Sequence, residues 1–211
     1  PWVNPKLYDK QLATMEQSIF ADRILSEHFI ILFGEQAAIL LSAFYNAFYY
    51  YIVFIVFYFL MISNRKLADN FFLFFTILWL QGILWIYALP TLGPCFVMPE
   101  LFAHLPDTRM RELQSGLWEL KNYTQSYPLS EKGVFMISGF PSIPLALPLG
   151  ASWYLWLNSK SIGVLSLGFS LITVVSTIYF GWHWLLDDLA AIALALSSIY
   201  LVKMIHRRLT Y

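Results

Sequence analysis

Long apolar runs alternate with short polar interruptions along most of this chain. The runs at 37–62, 71–89, 135–157, 162–180 and 184–205 each approach or exceed the ~20 apolar residues that cross a bilayer as a helix. Backbone groups in lipid need hydrogen bonds from within, and helices supply them. The apolar–polar alternation of a membrane barrel is missing. The pattern predicts an all-α, polytopic membrane helix bundle with five transmembrane helices. Pro90, Gly93 and Pro94 in "YALPTLGPCF" end the second span, because proline cannot continue a helix without losing a hydrogen bond. The connection that follows, 90–134, is too long to be idle in a compact protein. Within it "MRELQSGLWELKNY" sets Leu113, Leu117 and Leu120 at helical spacing, which predicts a helix capping the outer ends of the spans. Ahead of the first span, Leu12, Met15 and Ile19 share helical spacing until Asp22 and Arg23 interrupt it. Residues 1–36 therefore read as one or two amphipathic helices along the membrane surface. No internal repeat or low-complexity tract divides the chain, so 1–211 reads as a single membrane domain.

Composition sharpens this picture. The chain is 59% hydrophobic and only 12% charged, against about 25% charged in soluble domains. Net charge is zero, which removes the basic surface that nucleic-acid binding requires. The single cysteine, Cys95, excludes an internal disulfide and a multi-cysteine metal site. The chain starts at Pro1 rather than Met, so its true start is expected to lie upstream, and an absent helix there is plausible. Arg65 and Lys66, then Lys160, then Lys203, Arg207 and Arg208 fall on one side if the spans alternate. By the positive-inside rule that side is cytoplasmic. The connection 90–134 and the turn at 181–183 then face outward, with a glycosylation tripeptide at Asn122 on the outer side.

The candidate chemistry sits in "GWHWLLDD". His183 and Asp187 are four apart, so on a helix they share a face. A carboxylate beside an imidazole fixes its tautomer and stabilises its cation, as a nucleophilic or general-base histidine requires. The competing reading is a structural hydrogen-bonded pair at a helix start. Asp188 points elsewhere on the wheel and reads as a charge that the helix dipole favours. Ser176 and Thr177 end the preceding span, and Pro141 and Ser142 start the third at the same face. A helix N-terminus with a serine hydroxyl suits an anion. Histidine, carboxylate and hydroxyls together point to phosphoryl transfer; a zinc site would want more ligands. No metal or cofactor is expected. His104 is the only other histidine in reach, while His28 and His206 read as surface residues.

These residues carry a resemblance. "FPSIPLA", followed by "STIYFGWHWLLD", resembles the type-2 phosphatidic acid phosphatase superfamily. It is most similar to the branch of inositol phosphorylceramide synthases and related inositolphosphotransferases. That branch has Phe-Pro-Ser-Leu-His, then Ser-Thr, five residues, His, three residues and Asp. Phe140-Pro141-Ser142 and Ser176-Thr177 with His183 and Asp187 keep this pattern, and "LPTLGPCF" resembles the branch's Pro-rich segment. The similarity runs from about Tyr87 to Ala191. It implies that His183 attacks phosphorus, that Asp187 orients it, and that Ser142 holds a phosphate oxygen together with Ser176 and Thr177. The substrate implied is a membrane lipid or isoprenoid phosphate.

The chain departs from the family at Pro144, where the family's leaving-group histidine falls. Proline has no proton to give, and losing a general acid costs about 10²–10⁴ in rate. Cys95 stands where relatives can carry arginine, so phosphate clamps are sought among Arg109, Arg111, Lys121 and Lys132. Two readings follow. One is a lipid phosphatase or phosphotransferase impaired at its general acid. The other is an inactive pseudoenzyme serving as a structural or lipid-binding subunit beside other membrane proteins. A transporter is disfavoured, because the charges cluster at one face rather than at midplane. Glu35 and Gln36 read as interfacial, and Asn46 as a helix–helix hydrogen bond.

Overall fold

The computed structural model describes residues 6–127 and 137–209, and all of their regular structure is helical. In order these are α1 (Asp9–Ile19), α2 (Leu25–Phe33), α3 (Ala37–Met61), α4 (Arg65–Ala88), the single turn α5 (Pro94–Val97), a 3₁₀ turn (Pro99–Phe102), α6 (Arg109–Ser126), α7 (Ile143–Asn158), α8 (Lys160–Tyr179) and α9 (Leu185–Leu209). Four of them, α3, α4, α8 and α9, are long and apolar enough to cross a membrane. The expected third span differs. Its predicted start at Phe135 lies outside the described residues, and α7 has 16 residues from Ile143. At 1.5 Å per residue that is ~24 Å, short of the ~30 Å hydrocarbon core. Pro144 occupies its first turn and Pro148 its interior.

Helix α4 starts six residues before the predicted 71 because Asn64 caps it, its Oδ1 accepting from Leu67 N at 3.1 Å. A capped, charged first turn is helical without being apolar. The amphipathic stretch in the outer connection is α6, as its leucine spacing predicts.

Helix α7 packs against α8 and α9, with α3 and α4 completing the bundle. Its main apolar core holds Phe59, Phe71, Phe74, Leu147 and Tyr154, with the Phe59 and Phe71 rings stacked 3.9 Å apart. Polar pairs tie the helices where lipid offers no partner. Tyr51 Oη meets Ser166 Oγ at 2.6 Å across α3 and α8. Gln81 donates to Ser198 at 2.9 Å and accepts from Ser197 at 3.1 Å, across α4 and α9. Asn158 donates to Tyr58 Oη at 2.7 Å where α7 and α3 end. Asn46 does not bridge helices as expected. It donates to Ser42 O on its own helix at 2.9 Å, and the Ser42 hydroxyl makes the outward tie by accepting from Met110 N at 3.3 Å.

A second core lies at the end of the bundle where α3 and α9 begin and α4 and α8 end. Ala13, Ile24 and Ile30 from α1, α2 and their junction meet Phe102, Met110, Tyr179, Phe180 and Trp184 there. The N-terminal helices are thus packed into the bundle's end, with two of their carboxylates inside it. A purely surface-lying amphipathic pair would keep those charges in water.

Candidate active site

Three segments far apart in sequence meet at this second core, stitched through their main chains. Cys95 N donates to Gly181 O at 2.8 Å, Gly139 N to Thr91 O at 2.9 Å, and Ser142 N to Asp187 O at 3.1 Å. Gly93 makes the first contact possible. Its φ is +99°, and a Cβ there would lie 2.3 Å from Trp182 O, so only glycine fits. Two carboxylates of α1 close the arrangement from outside. Asp9 accepts from Leu92 N at 2.9 and 3.0 Å and Gly93 N at 2.9 Å, and from Trp184 Nε1 at 3.0 Å. Glu16 accepts from Leu25 N at 3.0 Å and from Leu185 N. Burial raises the Glu16 pKa above the ordinary carboxylate value, against the opposing pull of those two N–H groups.

His183 sits in the turn before α9 and is 5% exposed. Its Nδ1 lies 2.7 Å from Gly139 O. A carbonyl oxygen only accepts, so Nδ1 carries the hydrogen and the neutral ring's lone pair is on Nε2. Asp187 Oδ2 is 3.7 Å from Nδ1, within ion-pair range but too long for a hydrogen bond. That oxygen accepts from Trp184 N at 2.8 Å, which fixes the carboxylate at the helix start, and Oδ1 is buried without a partner. Burial pushes the His183 pKa down. The Asp187 and Asp188 carboxylates and the Gly139 carbonyl push it up by more, so it lies above the ordinary imidazole value.

Asp188 does not point elsewhere. It is 3% exposed, and its carboxylate faces Ser142 and His183. Neither of its oxygens has a hydrogen-bond partner. Counting positions around a helix from 183 misplaces it, because α9 begins only at Leu185. Ser142 is the N-cap residue of α7, fully buried, with its Oγ also unpartnered. His183, Asp187, Asp188 and Ser142 therefore form one buried cluster. Gly139, Thr91, Asp9 and Glu16 also belong to this structure and were not singled out from sequence. The only sequence trace of Asp9's role is the proline-flanked "LPTLGP", whose free amides need acceptors.

The remaining candidates are placed differently. Ser176 donates to Ile172 O and Thr177 to Val174 O, both at 2.9 Å. Their hydroxyl hydrogens are engaged by their own helix, so they are not donors into the space around His183. Arg109 and His104 are exposed. Arg111 donates to Phe102 O, and Lys121 lies 4.3 Å over the Trp118 ring. Lys132 is outside the described residues. Cys95 is buried, and burial holds its thiol well above the ordinary pKa, hence neutral. Beside it a cavity of about 360 Å³ is lined by Phe96, Phe102, Arg111, Gln114 and Trp118. Among the described residues no group of three His, Cys, Asp or Glu side chains could hold a metal ion.

The family model of the PAP2 superfamily matches residues 10–201. The chain belongs to the PAP2 superfamily. No curated protein and no solved structure matches it. The PAP2 match begins one residue after Asp9 and takes in all three segments that meet at His183. As a PAP2 protein with four helices able to cross a bilayer, the chain is an integral membrane protein whose family acts on lipid phosphates.

Gly139 provides a direct probe of the cluster around His183. A Cβ there would lie 2.6 Å from Thr91 Oγ1 and 3.0 Å from Asp187 Oδ2. Gly139→Ala is expected to shift the carbonyl that orients His183 and to lower turnover by about 10²-fold. The protein should still fold, as size-exclusion in detergent would show; unchanged kinetics would mean that the carbonyl does not set the ring's position.

Proposed function

We propose that this PAP2 protein is a membrane lipid phosphatase or phosphotransferase in which His183 attacks phosphorus through Nε2. The observation that carries this reading is the 2.7 Å bond from Nδ1 to Gly139 O, which presents Nε2 as the lone-pair nitrogen. Asp187 stabilises the imidazolium and holds the turn. Ser142 Oγ, buried and without a hydrogen bond of normal geometry, holds a phosphate oxygen at the N-terminus of α7, where the helix dipole favours an anion. The inositolphosphotransferase-like branch is the finer assignment, supported by the Ser176-Thr177 spacing to His183 and Asp187. In that branch a lipid or inositol hydroxyl can replace water as acceptor. We read residues 1–211 as one membrane domain, with this face outside the cytoplasm and the basic ends at Arg65, Lys160 and Lys203 inside it.

The decisive experiment is brief incubation with a radiolabelled lipid phosphate or isoprenyl diphosphate, followed by alkaline capture of phosphohistidine. Label on His183 is expected. Its absence with every lipid class, together with persistent co-purification in a larger assembly, supports the second reading, an inactive subunit. That reading is favoured by one observation: Pro144, in the first turn of α7, stands where the family's proton donor is expected.

Rate should also follow the His183 proton. Attack needs Nε2 unprotonated, so the acid-side limb of the turnover–pH profile is expected to follow the His183 pKa. The midpoint should lie above the ordinary imidazole value of about 6.5. Asp187→Asn removes an upward influence and leaves burial, so it should move the midpoint down. A midpoint that does not move in this variant would separate Asp187 from the titrating group.

A further inference from the structure

Asp188 is a buried carboxylate whose oxygens make no hydrogen bond of normal geometry, with only the Ser142 hydroxyl beside it as a loose donor, while Asp9 and Glu16 nearby each accept two or more hydrogen bonds. Buried polar atoms without partners are uncommon and costly, and in an enzyme site they are the atoms that a substrate completes. The Ser142 hydroxyl that Asp188 faces is unpartnered as well. Asp188, Ser142 and the imidazole of His183 are therefore neighbours in one buried cluster. Ser142 stands two residues before Pro144 at the same helix start.

We propose that Asp188, as a carboxylic acid, protonates the leaving oxygen of the ester that His183 attacks, the task for which Pro144 has no group. This rests on the reading of His183 as nucleophile. In the first step Nε2 forms a bond to phosphorus, and the phosphorus–oxygen ester bond breaks. Its electron pair stays on the leaving oxygen, which takes the Asp188 proton. Phosphohistidine, the free alcohol and the Asp188 carboxylate result. In the second step water or an acceptor hydroxyl attacks phosphorus and its proton passes to Asp188. The nitrogen–phosphorus bond breaks with its electron pair returning to Nε2. Asp187 remains hydrogen-bonded to Trp184 N throughout and is a positioning residue.

A general acid is read out by its dependence on the leaving group. The full chain in nanodiscs would be assayed with an alkyl phosphate, phosphatidic acid, and with p-nitrophenyl phosphate, whose leaving group needs no proton. Asp188→Asn is expected to lower phosphatidic acid turnover by about 10²-fold and the aryl phosphate by less than about threefold. Pro144→His added to Asp188→Asn is expected to return at least tenfold of the alkyl activity. Equal losses on both substrates, or no loss on either, would overturn the proposal. If Asp188→Asn does not fold, a series of wild-type rates on aryl and alkyl phosphates decides. A shallow dependence on the leaving group supports an acid in place, and a steep one rules it out. Phosphohistidine at His183 with an unchanged alkyl-to-aryl ratio in Asp188→Asn sinks Asp188 alone. No phosphohistidine and no turnover in the wild type sinks Asp188 and the parent reading together.

Discussion

Replacing His183 by glutamine is expected to reduce turnover of a lipid phosphate by about 10⁴-fold or more, and to abolish phosphoenzyme formation. A loss of that size is about 5.5 kcal/mol of transition-state stabilisation. It belongs to removal of a nucleophile, since loss of an orienting partner leaves the attacking atom in place. Glutamine retains a donor that can reach Gly139 O, so the turn before α9 should survive and the variant should fold. Stopped turnover with intact folding assigns chemistry to the imidazole. Retained turnover would show that the 2.7 Å bond to Gly139 O serves the turn alone. The Asp187→Asn profile is the natural companion, since it tests the charge beside the ring without touching Nε2.

The second large effect concerns stability. Asp9→Ala removes the acceptor for Leu92 N, Gly93 N and Trp184 Nε1 at once. Asp9 is 3% exposed and Trp184 is fully buried, so water does not readily replace the carboxylate. Each stranded donor costs about 1–3 kcal/mol. A total of about 3 kcal/mol or more is a large share of the ~5–15 kcal/mol that holds a typical fold. Thermal unfolding in detergent is expected to fall by about 10 °C for a chain of this size. Asp9→Asn keeps one carbonyl acceptor and should fall by less. An unchanged melting temperature for both variants would mean that α1 contributes no closure to this face.

The apolar runs were legible because their cause is local. Length and hydropathy alone mark α3, α4, α8 and α9, and leucine spacing marks α6. Polar ends were harder. Arg65, Lys66 and Asp69 belong to α4 although none is apolar, because a cap rather than hydropathy sets that boundary. For the run at 135–157 the described helix α7 begins only at Ile143, and hydropathy alone does not separate a short buried helix from a full span, since buried helices in a bundle are as apolar as lipid-facing ones. At the site, Ser142 and Asp187 lie together, with Ser142 N donating to Asp187 O. The direction of Asp188 was not legible, because it needs the first residue of α9, which lies after His183. Ser176 and Thr177 were overcounted, because a hydroxyl near a helix end has its own carbonyls within reach. Asp9 and Glu16 were invisible. Their partners lie up to 175 positions away, and nothing local in a short amphipathic helix announces a distant amide.

The acceptors on α1 also set an order of events during synthesis. Asp9 and Glu16 are made before α3, α4 and α8, and Trp184 and Leu185, which they bind, follow only after those helices. Until the last hydrophobic helix is inserted, both carboxylates must wait in water at the headgroup region. A ribosome that stops before residue 184 leaves them with half a binding partner. The docking of α1 is therefore completed only once the first turn of α9 is in place.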